Sequence, residues 1–168
     1  MPASDAARAL RAYVGLGSNL DDPQEQIERA LRALADFAQT QLLRSSRRYR
    51  TAPWGIAEQP AFVNAVAELE TSLLPRALLD ALLELERAQG RHRDGARWGP
   101  RTLDLDLLMY ADLQIQLPGL VLPHPRIAER AFVLVPLADL DADLVIPGAG
   151  VVRELLARVD ARECVPID

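Results

Sequence analysis

Lysine is missing from this chain, and all 19 of its basic residues are arginine. That absence excludes a lysine Schiff base, and it excludes the G-x-x-x-x-G-K-[ST] phosphate loop, which needs a lysine. With one cysteine, Cys164, no internal disulfide can form, which fits a reducing compartment. Two histidines and that cysteine are too few for a structural zinc site. Positive charge is not in excess either. The net charge of −5 argues against a nucleic-acid coat or a membrane-surface protein. No apolar run approaches the roughly 20 residues of a membrane span. The alanine-rich start, Met1 to Ala12, has no signal-peptide core. The expectation is a cytoplasmic protein with a flexible extension over 1–12.

What remains is an ordinary globular composition, 49% hydrophobic and 26% charged in 168 residues. That length suits a single domain, read here as 13–160 with a tail over 161–168. Tyr13 to Leu16 reads as a strand ending at Gly15-Leu16-Gly17-Ser18-Asn19. Asp22 then caps a helix with Pro23 at its first position, Glu25 completing a capping box. Its apolar stripe is Ile27, Ala30, Leu31, Leu34 and Ala38. Leu42 to Thr51 reads as one strand and Phe62 to Glu70 as another, the latter with Phe62, Asn64 and Val66 on one face. Pro75 opens a second helix that stops near Gly90. It buries Leu78, Leu79, Leu82, Leu83 and, unexpectedly, Glu86. After an acidic strand, Asp104 to Tyr110, come a hairpin near Leu113 to Leu120, the turn Pro123-His124-Pro125, a helical stretch from Ile127 to Leu140, and a short helix over Val151 to Arg158. Strands and helices mix without strict βαβ repetition, which predicts an α+β layered sandwich.

The chemistry is concentrated between Arg97 and Leu108, in RWGPRTLDLDLL. Side chains two apart in a strand share a face, so Asp104 and Asp106 point together with Leu105 and Leu107 behind them. Taken alone, such a pair also suits a solvated strand end. Arg91, Arg93, Arg97 and Arg101 just upstream, with Trp98 among them, favour a site in which carboxylates hold Mg²⁺ and guanidinium groups hold a polyphosphate. A second constellation comprises the loop Thr51-Ala52-Pro53-Trp54-Gly55 and the run Gln59-Pro60-Ala61-Phe62-Val63-Asn64. A ring, an amide and loop backbone suit a planar heterocycle, although Phe62 as core and Asn64 as a strand-end cap is the plainer reading. The Gly15-x-Gly17 run lacks the third glycine of a dinucleotide fingerprint and reads as a tight strand-to-helix turn, with an active-site role left open.

Together, G-S-N, R-T-x-P-x-G, Q-P-x-F-x-N, the acidic stretch and V-L-P-H-P-R resemble the 6-hydroxymethyl-7,8-dihydropterin pyrophosphokinase family of folate biosynthesis, from Tyr13 to about Val159. The resemblance implies a ferredoxin-like α+β sandwich, an antiparallel sheet flanked by helices. It implies transfer of pyrophosphate from ATP to the hydroxymethyl group of the dihydropterin, giving AMP and the pterin diphosphate. By the same resemblance, Asp104 and Asp106 bind two Mg²⁺ ions, and Arg91 and Arg97 act with them in catalysis. Leu79, Glu86, Arg93, Arg97, Trp98, Arg101, Leu107, Leu120, His124 and Arg130 match ATP-binding positions. Thr51, Pro53, Trp54, Phe62, Asn64, Trp98 and Phe132 match the pterin pocket. Leu83, Ala52 and Arg126 depart from residues the family can carry at those places. The implied partners are the two small substrates, with no nucleic acid or membrane, and the implied state is a monomer. Two rivals stand beside this reading. A nucleotidyltransferase also uses Gly-Ser and D-x-D, and a ferredoxin-like RNA-binding module shares the fold class.

Overall fold

The computed structural model describes residues 8–52, 58–90 and 102–167. Its centre is an antiparallel sheet. Strand β1 (Leu10–Ser18) lies between β4 (Phe62–Thr71) and β5 (Asp104–Tyr110). On the far side of β4 run β2 (Thr40–Ser45) and β3 (Arg48–Thr51), end to end along the same strand. The sequence reads this stretch as one strand, and the break falls at Ser46. There the backbone N–H still donates to the Val66 carbonyl at 2.9 Å. The Ser46 hydroxyl, not a carbonyl, accepts from the Val66 N–H at 2.9 Å. A side chain has replaced a rung of the ladder, and the edge bends.

Alternation along these strands sorts the residues into two layers. Val14, Leu16, Ala65, Ala67, Leu105 and Leu107 face one way and pack beneath α1 (Pro23–Ala35) and α2 (Pro75–Ala88). Those helices contribute Ile27, Leu31, Leu34, Leu78 and Leu82, each worth about 1.5–3 kcal/mol on full burial. Tyr13, Val66, Leu108 and Met109 face the other way, against α3 (Ala131–Asp141) and α4 (Val152–Leu156). Leu108 and Met109 share that face because Tyr13 pairs with Met109 and Val14 with Leu107, which makes Leu108 the extra residue of a bulge.

Several details differ from the sequence reading. The first helix ends at Ala35, which leaves Ala38 exposed. Asp22 does cap it, accepting from the Glu25 N–H at 3.5 Å, while the Glu25 carboxylate pairs with Arg32. The expected helix from Ile127 is a 3₁₀ turn, Ile127–Glu129, separated from α3 by Arg130 in extended conformation. The hairpin is β6 (Ile115–Leu117) with β7 (Leu120–Leu122). A second, unforeseen one joins β8 (Val145–Ile146) to β9 (Gly150–Val151). The sheet reaches into both segments assigned to the termini. Leu10 to Ala12 are paired residues of β1, and β10 (Val165–Ile167) runs antiparallel to β3. The main sheet, in the order β10-β3-β4-β1-β5, has helices on both faces: an α+β sandwich of the ferredoxin-like class.

Candidate active site

Cross-strand register builds the site. Gly17 of β1 stands opposite Asp104 on one side and Asn64 on the other, and Asn64 in turn stands opposite Tyr49. Directly paired residues of antiparallel strands share a face. One row across the sheet therefore reads Tyr49, Asn64, Gly17, Asp104, with Asp104 and Asn64 two strand spacings, about 10 Å, apart. Gly15 pairs with Asp106 one step further in. Because Leu105 and Leu107 are buried beneath α1 and α2, the two aspartates emerge together on the opposite face, where the Asp106 side chain stays 35% exposed. Gly15 and Gly17 thus belong to the interior of β1 and form no strand-to-helix turn.

At the acidic end, Arg130 is a buried guanidinium whose Nη1 lies 4.0 Å from Asp106 Oδ2 and whose head lies 5.4 Å from the centre of the Phe132 ring. Burial lowers its pKa, and the Asp106 carboxylate works against that. His124 is fixed beside β5 by donation of its backbone N–H to the Leu108 carbonyl at 2.8 Å. Its Nδ1 accepts from the Arg126 N–H at 3.1 Å, so a neutral ring carries its proton on Nε2. Burial first, and then the Arg130 charge, bring its pKa down to about 4 against the pull of Asp104. At neutral pH the ring is uncharged.

At the neutral end, the Asn64 amide donates from Nδ2 to Thr51 Oγ1 at 2.6 Å, both groups being buried. Phe62 stands opposite Thr51 in register. The chain returning to β4 is tied down by Asn19, whose Nδ2 donates to Gln59 Oε1 at 2.9 Å and to the Pro60 carbonyl at 3.0 Å. Sequence reasoning placed Asn19 only in a motif and gave it no task. Its signal was a polar residue directly after a buried strand.

Glu86 is 2% exposed, and its Oε1 accepts the Leu105 N–H at 2.7 Å. A carboxylate on a helical apolar stripe thereby grips the edge strand between the two aspartates. Leu107 and Leu120 are core side chains on the side of the sheet covered by α1 and α2, and Leu79 packs at the margin of that core. Their side chains are not brought together with the aspartates. Arg91, Arg93, Arg97, Trp98, Arg101, Pro53 and Trp54 lie outside the described residues.

Among the described residues no third histidine, cysteine, aspartate or glutamate joins Asp104 and Asp106 in a metal-binding group. Two hard oxygen donors without a soft ligand fit Mg²⁺, which keeps much of its shell for water and phosphate oxygens, and not a closed zinc site.

Fold and register together put two carboxylates and a buried amide on one face of an α+β sheet. The model of the 7,8-dihydro-6-hydroxymethylpterin-pyrophosphokinase family matches residues 13–142. The 2-amino-4-hydroxy-6-hydroxymethyldihydropteridine pyrophosphokinase of Pseudomonas aeruginosa is 52% identical over 147 residues, covering 88% of this chain and 90% of that protein. The protein of the same name from Haemophilus influenzae is 46% identical over 147 residues, covering 88% and 91%. The chain belongs to the pterin pyrophosphokinase family. Among solved structures, wild-type HPPK-DHPS of Plasmodium falciparum matches with a TM-score of 0.71 at 13% identity, over 92% of this chain and 45% of that one. The likeness supports the fold, and this chain spans under half the length of that larger protein.

Proposed function

We propose that this protein transfers the β,γ-pyrophosphoryl group of ATP to the hydroxymethyl oxygen of 6-hydroxymethyl-7,8-dihydropterin, releasing AMP and the pterin diphosphate for folate synthesis. The observation that carries the reading is the single row in which Asp104 and Asn64 flank Gly17 on one sheet face, in a chain of this family. Asp104 and Asp106 would hold two Mg²⁺ ions. When bound, these supply charge neutralisation for the triphosphate and acidify the accepting hydroxyl. The chain's own residues do the rest. Arg130 adds a buried positive charge beside Asp106. His124, neutral, offers the phosphates an Nε2–H donor. Asn64, Thr51, Phe62 and Phe132 orient the pterin, joined by Pro53, Trp54 and Trp98.

Arg91 and Arg97 complete the charge stabilisation, while Arg93 and Arg101 hold the triphosphate. Glu86 serves the nucleotide side by fixing β5. With no lysine in the chain and an uncharged His124, catalysis rests on positioning and preorganised charge more than on a strong base. In-line transfer needs donor and acceptor side by side, and a separation of about 10 Å across β1 leaves room for both.

We further read the chain as a cytoplasmic monomer that binds neither nucleic acid nor membrane. The net charge of −5 disfavours a nucleic-acid partner, and no described helix is long and apolar enough to cross a bilayer. The test is incubation with ATP, magnesium and the hydroxymethyl-dihydropterin, followed by mass identification of both products. AMP with pterin diphosphate is expected. Release of free pyrophosphate would instead favour the nucleotidyltransferase reading.

A further inference from the structure

A glycine inside a strand costs stability and needs a reason. Backbone conformation is not the reason at Gly15 or Gly17. The chain's left-handed glycines among the described residues are Gly90, Gly119, Gly148 and Gly150. Space separates the two strand glycines. A methyl group at Gly15 would rest 3.5 Å from the Leu108 side chain, an ordinary contact beneath a residue that already covers it. At Gly17 it would stand 2.8 Å from Asn64 Oδ1, closer than real side chains come. Asn64 cannot swing aside cheaply, because its amide is buried and its Nδ2 is committed to Thr51 Oγ1 at 2.6 Å.

We infer that Gly17 is a specificity-determining position. Its missing side chain lets the Asn64 amide lie over β1 with Oδ1 presented as a fixed acceptor, so that the pocket selects a flat ring bearing an N–H donor at that edge. In this structure the Asn64 NH₂ group donates to the Thr51 hydroxyl, and Oδ1 is the atom that lies over Gly17. Gly17 thus acts through Asn64 as a positioning residue for the heterocycle and has no part in holding the nucleotide. This inference rests on the pterin reading of the site and deepens it.

The test measures pterin affinity by calorimetry in the presence of magnesium and a non-hydrolysable ATP analogue, and the affinity for that analogue alone. Gly17→Ala should weaken pterin binding at least tenfold while nucleotide affinity stays within about twofold. Gly15→Ala, on the same face of the same strand, should leave both within about twofold. Because Gly17→Ala is expected to act through Asn64, its effect should vanish in an Asn64→Ser background, where the shorter side chain clears the space. That double variant also serves if Gly17→Ala alone does not fold. Unchanged pterin binding in Gly17→Ala, equal losses at positions 15 and 17, or the same penalty in both backgrounds would overturn the inference. Failure of the unmodified protein to bind the pterin at all would instead sink the proposed function.

Discussion

The same sheet face carries buried or half-buried carboxylates at both of its ends, and they are held very differently. At one end Glu68 is 1% exposed, and each of its oxygens is taken by a guanidinium. Arg11 holds Oε1, and Arg44 holds Oε2 at 2.8 Å. Those two arginines keep 57% and 50% of their side chains in solvent, so water bears much of the cost of their charge. At the other end Asp106 has the buried Arg130 no nearer than 4.0 Å and an uncharged histidine in the neighbourhood. A carboxylate whose oxygens are both closed by ion pairs fastens strands together. Asp104 and Asp106 share one face, the Asp106 side chain keeping 35% of its surface exposed beside the buried Arg130, and the proposed function uses them to meet a ligand. Placement in the sheet is common to both, and the neighbours decide the role.

The comparison breaks most visibly if the two ends are mutated in turn. Asp106→Ala should lower turnover roughly a thousandfold or more, since the carboxylate proposed to hold the metal would act directly on transition-state charge. Its melting temperature should stay within a few degrees of the parent. Glu68→Gln should show the reverse profile. Loss of the charge between two arginines should cost about 1–3 kcal/mol, several degrees in melting temperature, with kcat within about twofold of the parent. Steady-state kinetics and thermal unfolding on both variants decide it. A stable, fully active Asp106→Ala protein would move the chemistry away from β5.

A sharper version asks whether the acidic and neutral halves of the site separate. Thr51→Val removes the hydroxyl that accepts the Asn64 amide and leaves a buried N–H₂ without that partner. The lost bond is worth about 1–3 kcal/mol, which corresponds to a rise of roughly tenfold in KM for the pterin. KM for ATP should be unchanged, because Thr51 lies on β3, beyond Asn64 and Gly17 from Asp104. Equal rises in both KM values would show that the two halves act as one.

Much of this was legible in the sequence where a single strand or helix carries its own pattern. Asp104 to Tyr110 matches β5 residue for residue because alternation of acid and leucine has only one sensible burial. The faces of β4 follow from the same period-2 logic. What was illegible depends on register between strands, which no local pattern encodes. Gly17 read as a turn because a glycine pair before a helix normally is one, and only pairing with both Asp104 and Asn64 makes it a floor. Glu86 was recognisable as an oddity on an apolar stripe, but its acceptor role toward Leu105 depends on where α2 meets the edge of β5. The break at Ser46 was hidden for a related reason. A serine hydroxyl standing in for a backbone group has no composition signature.

The smallest expected effect concerns the histidine beside the acidic end. Held near 4 by burial and by Arg130, His124 has a folded pKa below the ordinary value of 6.5. Between those two values the unfolded chain binds a proton that the folded chain refuses, so folding stability is complete above the upper value and declines as pH falls toward the lower one. Its backbone bond to Leu108 survives substitution, and a glutamine at this position can still accept from the Arg126 N–H. His124→Gln should therefore lose less stability than the parent when urea unfolding at about pH 7 is repeated at about pH 5. An equal loss in both proteins would mean that the folded ring takes up its proton at the same pH as the unfolded one, so that burial and Arg130 do not hold it uncharged.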